Sequence, residues 1–201
     1  MIELGESRVS DGQRLVIDDG AALVIGADGE LRIDREYWED YTVPATRSKR
    51  GNTDKPDFDY TDVGLLFPQN NATEILYITD QMPHRWTGGV IRPHIHWIQT
   101  SADIAGWTMD YRFYNNAATP PSFTTAATIA SSVFTWTSGS IVQISKFAEI
   151  DLSALNASAL FDLKIYRDDN TISGDVLFKS FDFHYRVGGT TPFGSRQEYI
   201  R

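Results

Sequence analysis

Short segments in which apolar and polar residues alternate, separated by turn-forming residues, recur along this chain from residue 74 onward. The segment "WTMDYRFY" at 107–114 shows the pattern most clearly, since every second residue from Trp107 to Phe113 is apolar. Successive side chains of a strand point to opposite faces of the sheet. The alternation therefore predicts a strand with one buried face, as in an antiparallel sheet.

Seven segments rich in β-branched and aromatic residues are predicted strands: "EILYIT", "VIRPHIHWIQT", "WTMDYRFYN", "SSVFTWTS", "SIVQISKFAEI", "LFDLKIYR" and "VLFKSFDFHYRV". Helical periodicity is weak and confined to "DLSALNASAL" at 151–160, where it predicts a helix of two turns. Many short strands with almost no helix predict an all-β fold. We expect an antiparallel two-sheet sandwich of the jelly-roll type, with a barrel as the alternative.

The ends of the chain differ from this body. In residues 1–36 the run "RLVIDDGAALVIGADGELRID" places Asp-Gly turn signals between short apolar segments, which predicts a small β-meander, or arm. A piece this small cannot build its own core, so it must lie on the main body or on another copy. Residues 37–187 are predicted to form the sandwich. Residues 188–201 are predicted to be an extended tail, with Arg196 and Tyr199 as candidates for contact with a neighbour.

Residues 37–73 contain many turn formers and little periodicity, and they are predicted to form a long irregular loop of the sandwich. Aromatic side chains recur in this loop, and such anchors are typical of interface segments. The alternative is that they close the ends of the sandwich. With Trp86 from a later predicted loop, the interface candidates of this part of the chain are Tyr37, Trp38, Tyr41, Phe58, Tyr60 and Trp86.

The overall composition excludes several function classes. The formal net charge is −9, and the only basic run, "TRSKR" at 46–50, is short, so we expect no direct contact with nucleic acid. The chain has no cysteine, which excludes disulfides, thiolate metal sites and cysteine nucleophiles. No segment approaches the ~18 consecutive apolar residues of a membrane span, and no export signal is expected.

Two of the four histidines, His94 and His96, are one residue apart and share one face of a predicted strand. With His184 and either Asp110 or Asp182, they could form a metal site like that of a cupin. However, the glutamate that follows such a pair in cupins is missing from "WIQTSAD". We therefore predict that the histidines are structural and that the chain has no metal, no cofactor and no catalytic residue. The nucleophile-turn, phosphate-loop and dinucleotide motifs are also missing.

Two further ligand classes have weaker signals. The acids of "DKPDFDYTD" at 54–62 could bind calcium, but the run lacks the glycine and the final glutamate of an EF-hand loop, so we interpret them as solvated turn residues. Aromatic faces could stack on sugar rings, and the tryptophans considered for this role are Trp38, Trp86, Trp107 and Trp136. Alternation places Trp107 in the core, whereas Trp86 in "PHRWTGG" is expected to be exposed.

The strings "DVGLLFPQNNATEILYITDQMPH", "RPHIHWIQT", "LKIYRDDN" and "FGSRQEYIR" resemble those of a group of uncharacterised structural proteins of tailed bacteriophages and prophages, over about residues 37–201. The resemblance implies a non-enzymatic virion component that is assembled in the host cytoplasm. It implies a jelly-roll-like module, commonly a homotrimer, that decorates the head or belongs to a fibre or tail appendage. The expected partners are the major capsid protein or a neighbouring virion protein, with a host-surface glycan as the alternative ligand.

Overall fold

The computed structural model describes residues 14–17, 21–25, 31–33, 37–52, 55–68, 74–99, 106–127, 142–167 and 174–187. The predicted strand "SSVFTWTS", Trp136, Arg196 and Tyr199 lie outside these described residues. The strands are β1 (Arg14–Ile17), β2 (Ala21–Ile25), β3 (Leu31–Ile33), β4 (Tyr37–Pro44), β5 (Lys49–Arg50), β6 (Asp57–Asp59), β7 (Gly64–Phe67), β8 (Leu76–Gln81), β9 (Val90–Ile98), β10 (Trp107–Tyr114), β11 (Thr124–Ala127), β12 (Gln143–Lys146), β13 (Ile150–Asp151), β14 (Leu160–Arg167) and β15 (Val176–Val187).

Two antiparallel sheets form the body of the molecule. The five-stranded sheet has the order β11-β10-β14-β8-β5. The seven-stranded sheet has the order β12-β9-β15-β7-β6, with β4 also paired to β15 and β13 to β9. This is the predicted jelly-roll-like sandwich rather than the barrel.

The core lies between the two sheets and follows the predicted alternation. On β14 the inward residues Phe161, Leu163 and Ile165 are buried, as are Phe181 and Phe183 on β15. Aromatic rings meet edge to face across the core, as Phe161 does with Phe183 at 5.8 Å between centroids. Such edge-to-face pairs are a favoured arrangement of aromatic rings, so they fix how the two sheets pack.

The long strand β15 contains a register shift beside β9, between Phe178 and Ser180. Without an extra residue, Phe178 and Phe181 would point to opposite faces, because their positions differ by an odd number. Both are buried. A bulge at Lys179 therefore keeps both phenylalanines in the core.

The prediction of an irregular loop over residues 37–73 is wrong. Four strands, β4 to β7, lie within it, and β4 pairs with β15 over eight residues, from Tyr37↔Val187 to Pro44↔Ser180. The strand was missed because its partner is more than a hundred residues away and nearby turn formers hide its period. Strand pairing now supplies the backbone hydrogen bonds of a segment that looked irregular.

The prediction of a helix at 151–160 is also wrong, since this segment is the end of β13, a series of turns and the start of β14. Backbone hydrogen bonds such as Leu155 N to Leu152 O, at 2.9 Å, close single turns only. The helical element of the described residues is a 3₁₀ turn at Ala45–Arg47. No helix in the described part of the chain is both long and apolar enough to cross a membrane.

The N-terminal strands β1, β2 and β3 form an antiparallel sheet of their own, in that order. They lie within residues 1–36, where a β-meander is predicted. Among the described residues, no strand pairing joins this small sheet to either sheet of the sandwich.

Candidate functional site

The outer face of the seven-stranded sheet carries a cluster of histidine and aspartate side chains. Pairing of β9 with β15 sets His94 opposite Asp182 and His96 opposite Ser180. Their neighbours Ile95 and Phe181 are fully buried in the core. Because side chains alternate along a strand, the histidines and Asp182 point to the other face of the sheet. Local alternation and strand register together build this cluster.

The three side chains approach one another closely. The Nε2 atom of His96 lies 2.9 Å from Oδ2 of Asp182, and Nε2 of His94 lies 3.7 Å from the same oxygen. One donor atom from each residue lies within 4.8 Å of the other two. His94 and Asp182 are each only 8% exposed, whereas His96 is partly open to solvent. We call these three residues the His–Asp cluster.

The orientation of His94 is set by the backbone. Its Nδ1 lies 3.4 Å from the carbonyl oxygen of Arg92, which fits an Nδ1–H donor and leaves Nε2 as the unprotonated nitrogen facing Asp182. Burial lowers the pKa of His94, and this effect outweighs the opposing influence of the Arg92 carbonyl and of Asp182. Burial therefore favours the neutral form of the imidazole.

The other predicted ligands have different partners. His184 packs against His94, with ring centroids 4.9 Å apart, but its Nε2 lies 2.9 Å from Oδ1 of Asp40 on β4. Asp110 is on β10 in the other sheet, where it accepts a hydrogen bond of 2.7 Å from Thr125. Asp182 is thus the carboxylate beside the histidine pair, and Asp110 is not. Sequence reasoning missed Asp40 because it lies in the strand interpreted as a loop.

One oxygen of the cluster has no hydrogen-bond partner within the described ranges. Oδ1 of Asp182 is buried and accepts no hydrogen bond from these residues, while Oδ2 faces the two histidines. A buried carboxylate oxygen without a donor is costly, and such groups in folded proteins are uncommon. A cation or a hydrogen-bond donor at this oxygen would therefore stabilise the cluster.

Trp38 lies beside the cluster, on the same outer face. The guanidinium groups of Arg92 and Arg186 stack on its ring, at 4.1 and 5.2 Å from the centroid. Arg92 also pairs with Glu149 at 2.7 Å. The indole is therefore engaged by cations of its own chain, an arrangement that stabilises both partners.

The remaining interface candidates divide into buried and exposed residues. Tyr37, Tyr41 and Phe58 pack partly buried against the core, which favours the alternative that they close the sandwich. Tyr60 is 85% exposed. The expectation that Trp86 is exposed is wrong, since its side chain is 1% exposed and its backbone bridges to β15 at Val187.

In the described part of the acidic run at 54–62, Asp57 and Asp59 lie on β6, and Asp62 lies in the turn that follows it. Oδ1 of Asp59 accepts hydrogen bonds from the backbone N–H groups of Thr61 and Asp62, at 2.8 and 3.3 Å. This is a local turn contact of a kind common for aspartate. The interpretation as turn residues therefore holds for Asp62 and not for Asp57 and Asp59, and Asp54 lies outside the described residues.

No family model and no curated protein sequence matches this chain. Among solved structures, a CBM36-1 domain of a multidomain xylanase from the hindgut metagenome of Trinervitermes trinervoides matches with a TM-score of 0.40 and 10% identity, covering 72% of this chain and 96% of that one. A family two carbohydrate esterase from Cellvibrio japonicus matches with a TM-score of 0.34 and 12% identity, over 77% of this chain and 35% of that one. An endo-1,4-β-D-xylanase from Clostridium thermocellum, complexed with xylohexaose, matches with a TM-score of 0.38 and 10% identity, over 79% and 27%. Similarity at this level carries no inference about a ligand or activity of the present chain.

Proposed function

We propose that this chain is a non-enzymatic structural module of a tailed-bacteriophage virion that self-associates as a trimer and attaches to the particle through its N-terminal arm. The observation that carries the proposal is the separate pairing of the arm, whose strands β1 to β3 join neither sheet of the sandwich among the described residues. A piece of about 36 residues is too small to build a stable core of its own. The arm gains a stable setting by packing on sister arms or on the capsid.

The edges of the sandwich differ in how open they are to pairing with another sheet. At the ends of the two sheet orders the described strands are short, since β5 has two residues, β6 has three, and β11 and β12 have four each. Short edge strands, and charged ones such as Lys49–Arg50, discourage pairing with another sheet. Strand β4 is longer, with eight residues, and among the described strands it pairs only with β15. Apart from β4, association is left to segments outside the sandwich, such as the arm.

The charge of the chain agrees with the same role. A net charge of −9 keeps copies of the sandwich apart unless a specific contact joins them. Multiple arms on one trimer make weak individual contacts sufficient for attachment, because avidity multiplies them. That the chain attaches to a phage particle is inferred from the resemblance of residues 37–201 to phage structural proteins.

The first test is the mass of the full chain in solution, measured by light scattering during size-exclusion chromatography. We expect the mass of three 22.6 kDa chains. The second is co-sedimentation with purified phage particles, with bovine serum albumin as the control for trapping. A monomer that fails to sediment with particles of any related phage would overturn the proposal.

A second candidate function is the binding of a surface glycan by the tip of the β6–β7 hairpin. The observation that favours it is the exposure of Tyr60, whose ring packs on Phe58 with centroids 4.7 Å apart. Val63 at the same tip is 53% exposed. A supported and exposed aromatic ring is suited to stack on the apolar face of a sugar.

The glycan function is tested by affinity electrophoresis in gels that contain soluble bacterial surface polysaccharides. We expect at least one polysaccharide to retard the chain, and Tyr60→Ala to remove the retardation. Tyr77→Ala is the matched control, because Tyr77 is also exposed but lies on β8 in the other sheet. Equal mobility of the wild type and Tyr60→Ala in every gel would reject this function.

A further inference from the structure

We propose that His94, His96 and Asp182 bind one divalent transition-metal ion per chain, with Zn²⁺ as the occupant and a fourth ligand position open to solvent beside His96. The proposal goes beyond the assembly role and does not depend on it. It replaces the sequence-based expectation that the histidines are only structural.

The donor set is one that zinc uses. Zinc is bound in proteins by imidazole nitrogens and carboxylate oxygens, and sites with three protein ligands keep a fourth position for water or another ligand. The chain has no cysteine, so every zinc ligand here must be nitrogen or oxygen. Two imidazoles and one carboxylate favour zinc, copper, iron or nickel over magnesium and calcium, which prefer all-oxygen sites.

The spacing of the donors fits an ion between them. Zinc bonds of about 2.0–2.2 Å place neighbouring ligand atoms of a tetrahedron roughly 3.3 Å apart. The two imidazole nitrogens lie 2.9 and 3.7 Å from Oδ2 of Asp182, on either side of that value. Small side-chain rotations are enough to equalise these separations. All three residues sit on adjacent paired strands, which hold their backbones in place.

The hydrogen bond on the far side of His94 is the kind that orients a metal ligand. Metal-binding histidines usually donate their other ring N–H to a carbonyl or a carboxylate, which fixes the tautomer and the ring orientation. Nδ1 of His94 lies 3.4 Å from the Arg92 carbonyl, and Nε2 faces the cluster. His94 is therefore positioned to offer a lone pair without rearrangement.

A further observation is that Oδ1 of Asp182 is buried and has no hydrogen-bond partner among the described residues. His96 provides one donor to Oδ2, but no donor from the described part of the chain reaches Oδ1. A bound cation would neutralise the carboxylate and offset the cost of burying it. The ion would take the place of the proton that His96 shares with Asp182, and β9 and β15 would then be joined by metal bonds.

The test is zinc binding by the full chain without a histidine tag, after treatment with a chelator and dialysis. Calorimetric titration with ZnCl₂ and metal analysis of the gel-filtered protein should both give one ion per chain. Addition of CoCl₂ should produce visible absorption bands of low-coordinate Co²⁺ with nitrogen and oxygen ligands. Zinc should raise the melting temperature, and a chelator should reverse the rise.

Three variants and two controls locate the site. His94→Gln, His96→Gln and Asp182→Asn should each weaken zinc binding at least tenfold, consistent with the loss of a direct ligand. His84→Gln removes an exposed histidine on a turn outside β9 and β15 and should leave binding unchanged. His184→Gln removes the ring that packs on His94 but pairs with Asp40, and it should retain the one-to-one stoichiometry.

Several outcomes would overturn the proposal. One is the absence of binding by the wild type, and another is equal loss of binding in His84→Gln and His96→Gln. A stoichiometry of one ion per three chains would also reject a site built within one chain. Circular dichroism of each metal-free variant distinguishes loss of a ligand from loss of the fold. If His96→Gln, whose residue is the most exposed of the three, folds and still binds as the wild type does, the assignment fails.

Discussion

Trp86 shows how a single residue can differ from its sequence context. It lies in "PHRWTGG" among turn formers, yet its indole is fully buried. The backbone explains this, because the N–H of Thr87 donates to the carbonyl of Arg186 at 3.1 Å, which ties the loop along the end of β15. The side chain is thereby directed into the core.

Replacement of Trp86 by alanine should lower the free energy of unfolding by about 3–5 kcal/mol, the usual cost of removing a large buried aromatic side chain. Tyr60→Ala is the control, since Tyr60 is exposed, and it should change stability by less than about 0.5 kcal/mol. Urea unfolding followed by tryptophan fluorescence and circular dichroism measures both. Similar losses for the two variants would contradict the burial of Trp86.

Gly64 is required by close packing rather than by backbone conformation. A Cβ atom at this position would lie 2.7 Å from the carbonyl oxygen of Phe178 and 2.7 Å from Cδ1 of Leu177. Neither the backbone oxygen nor the buried leucine can move freely. Gly64→Ala should therefore destabilise the protein by about 1–3 kcal/mol in urea unfolding. Thr61→Ala, at an exposed position of the same hairpin, should be nearly neutral.

At the scale of the residue, the sequence predicts which face of a strand a side chain occupies, but not which residues that side chain contacts. Alternation alone put His94 and His96 on one face and placed Asp182 and His184 on the polar side of the last strand. It could not choose between Asp110 and Asp182, because that choice depends on β9 pairing with β15 instead of β10. Strand register is a tertiary property, so no local pattern specifies it.

At the scale of the element, the strands with the clearest alternation of apolar and polar residues are the ones that the sequence predicts best. Strands β10 and β14 were predicted almost to the residue, because their apolar face is continuous. The alternation does not reveal strand β4, although β4 pairs with β15, which carries Asp182, one of the three residues of the His–Asp cluster. Strand β4 is stabilised by contacts with residues that are distant in the sequence. The hydroxyl of Tyr41 hydrogen-bonds Asp80 on β8, which joins the two sheets, and burial together with Asp80 raises the pKa of Tyr41 to about 12.

Asp162 joins three strands of the five-stranded sheet. It accepts hydrogen bonds from Thr79 on β8 at 2.8 Å, from Arg112 on β10 at 2.7 Å and from Tyr114 on β10 at 3.2 Å. Partial burial alone would raise the pKa of Asp162, but these hydrogen bonds and the charge of Arg112 outweigh it and hold the pKa below its ordinary value. The charged carboxylate is therefore the form that stabilises the sheet.

Asp162→Asn should destabilise the protein at pH 7, and the difference from wild type should shrink at acid pH. A folded-state pKa below the unfolded value of about 3.9 gives stability that is complete above that value and lost as the pH falls through the folded pKa. Urea unfolding at a series of pH values from 7 to 2.5 measures the difference. Asp57→Asn, at an exposed position on β6, controls for the loss of one charge. A difference for Asp162→Asn that stays constant down to the lowest pH would contradict this assignment.

At the scale of the whole molecule, the all-β sandwich follows from composition and period, since many amphipathic strands can bury their faces only against a second sheet. Composition does not specify which side chains lie on the outer face of each sheet. The five-stranded sheet carries the Asp162 network, whereas the seven-stranded sheet carries the His–Asp cluster and Trp38. This difference arises from strand order, which places β9, β15 and β4 side by side.

Removal of residues 1–36 should abolish the trimer but leave the sandwich folded. The reason is that β1, β2 and β3 pair only with one another among the described strands, so the sheets of the body lose no hydrogen-bonded neighbour when the arm is cut away. The melting temperature measured by circular dichroism at low protein concentration should stay within about 4 °C of the full chain, a shift of roughly 1 kcal/mol for a domain of this size. Light scattering should give the mass of a single chain. If the shortened chain without the arm remains a trimer, the association surface lies on the sandwich itself, and the arm serves only to hold the particle.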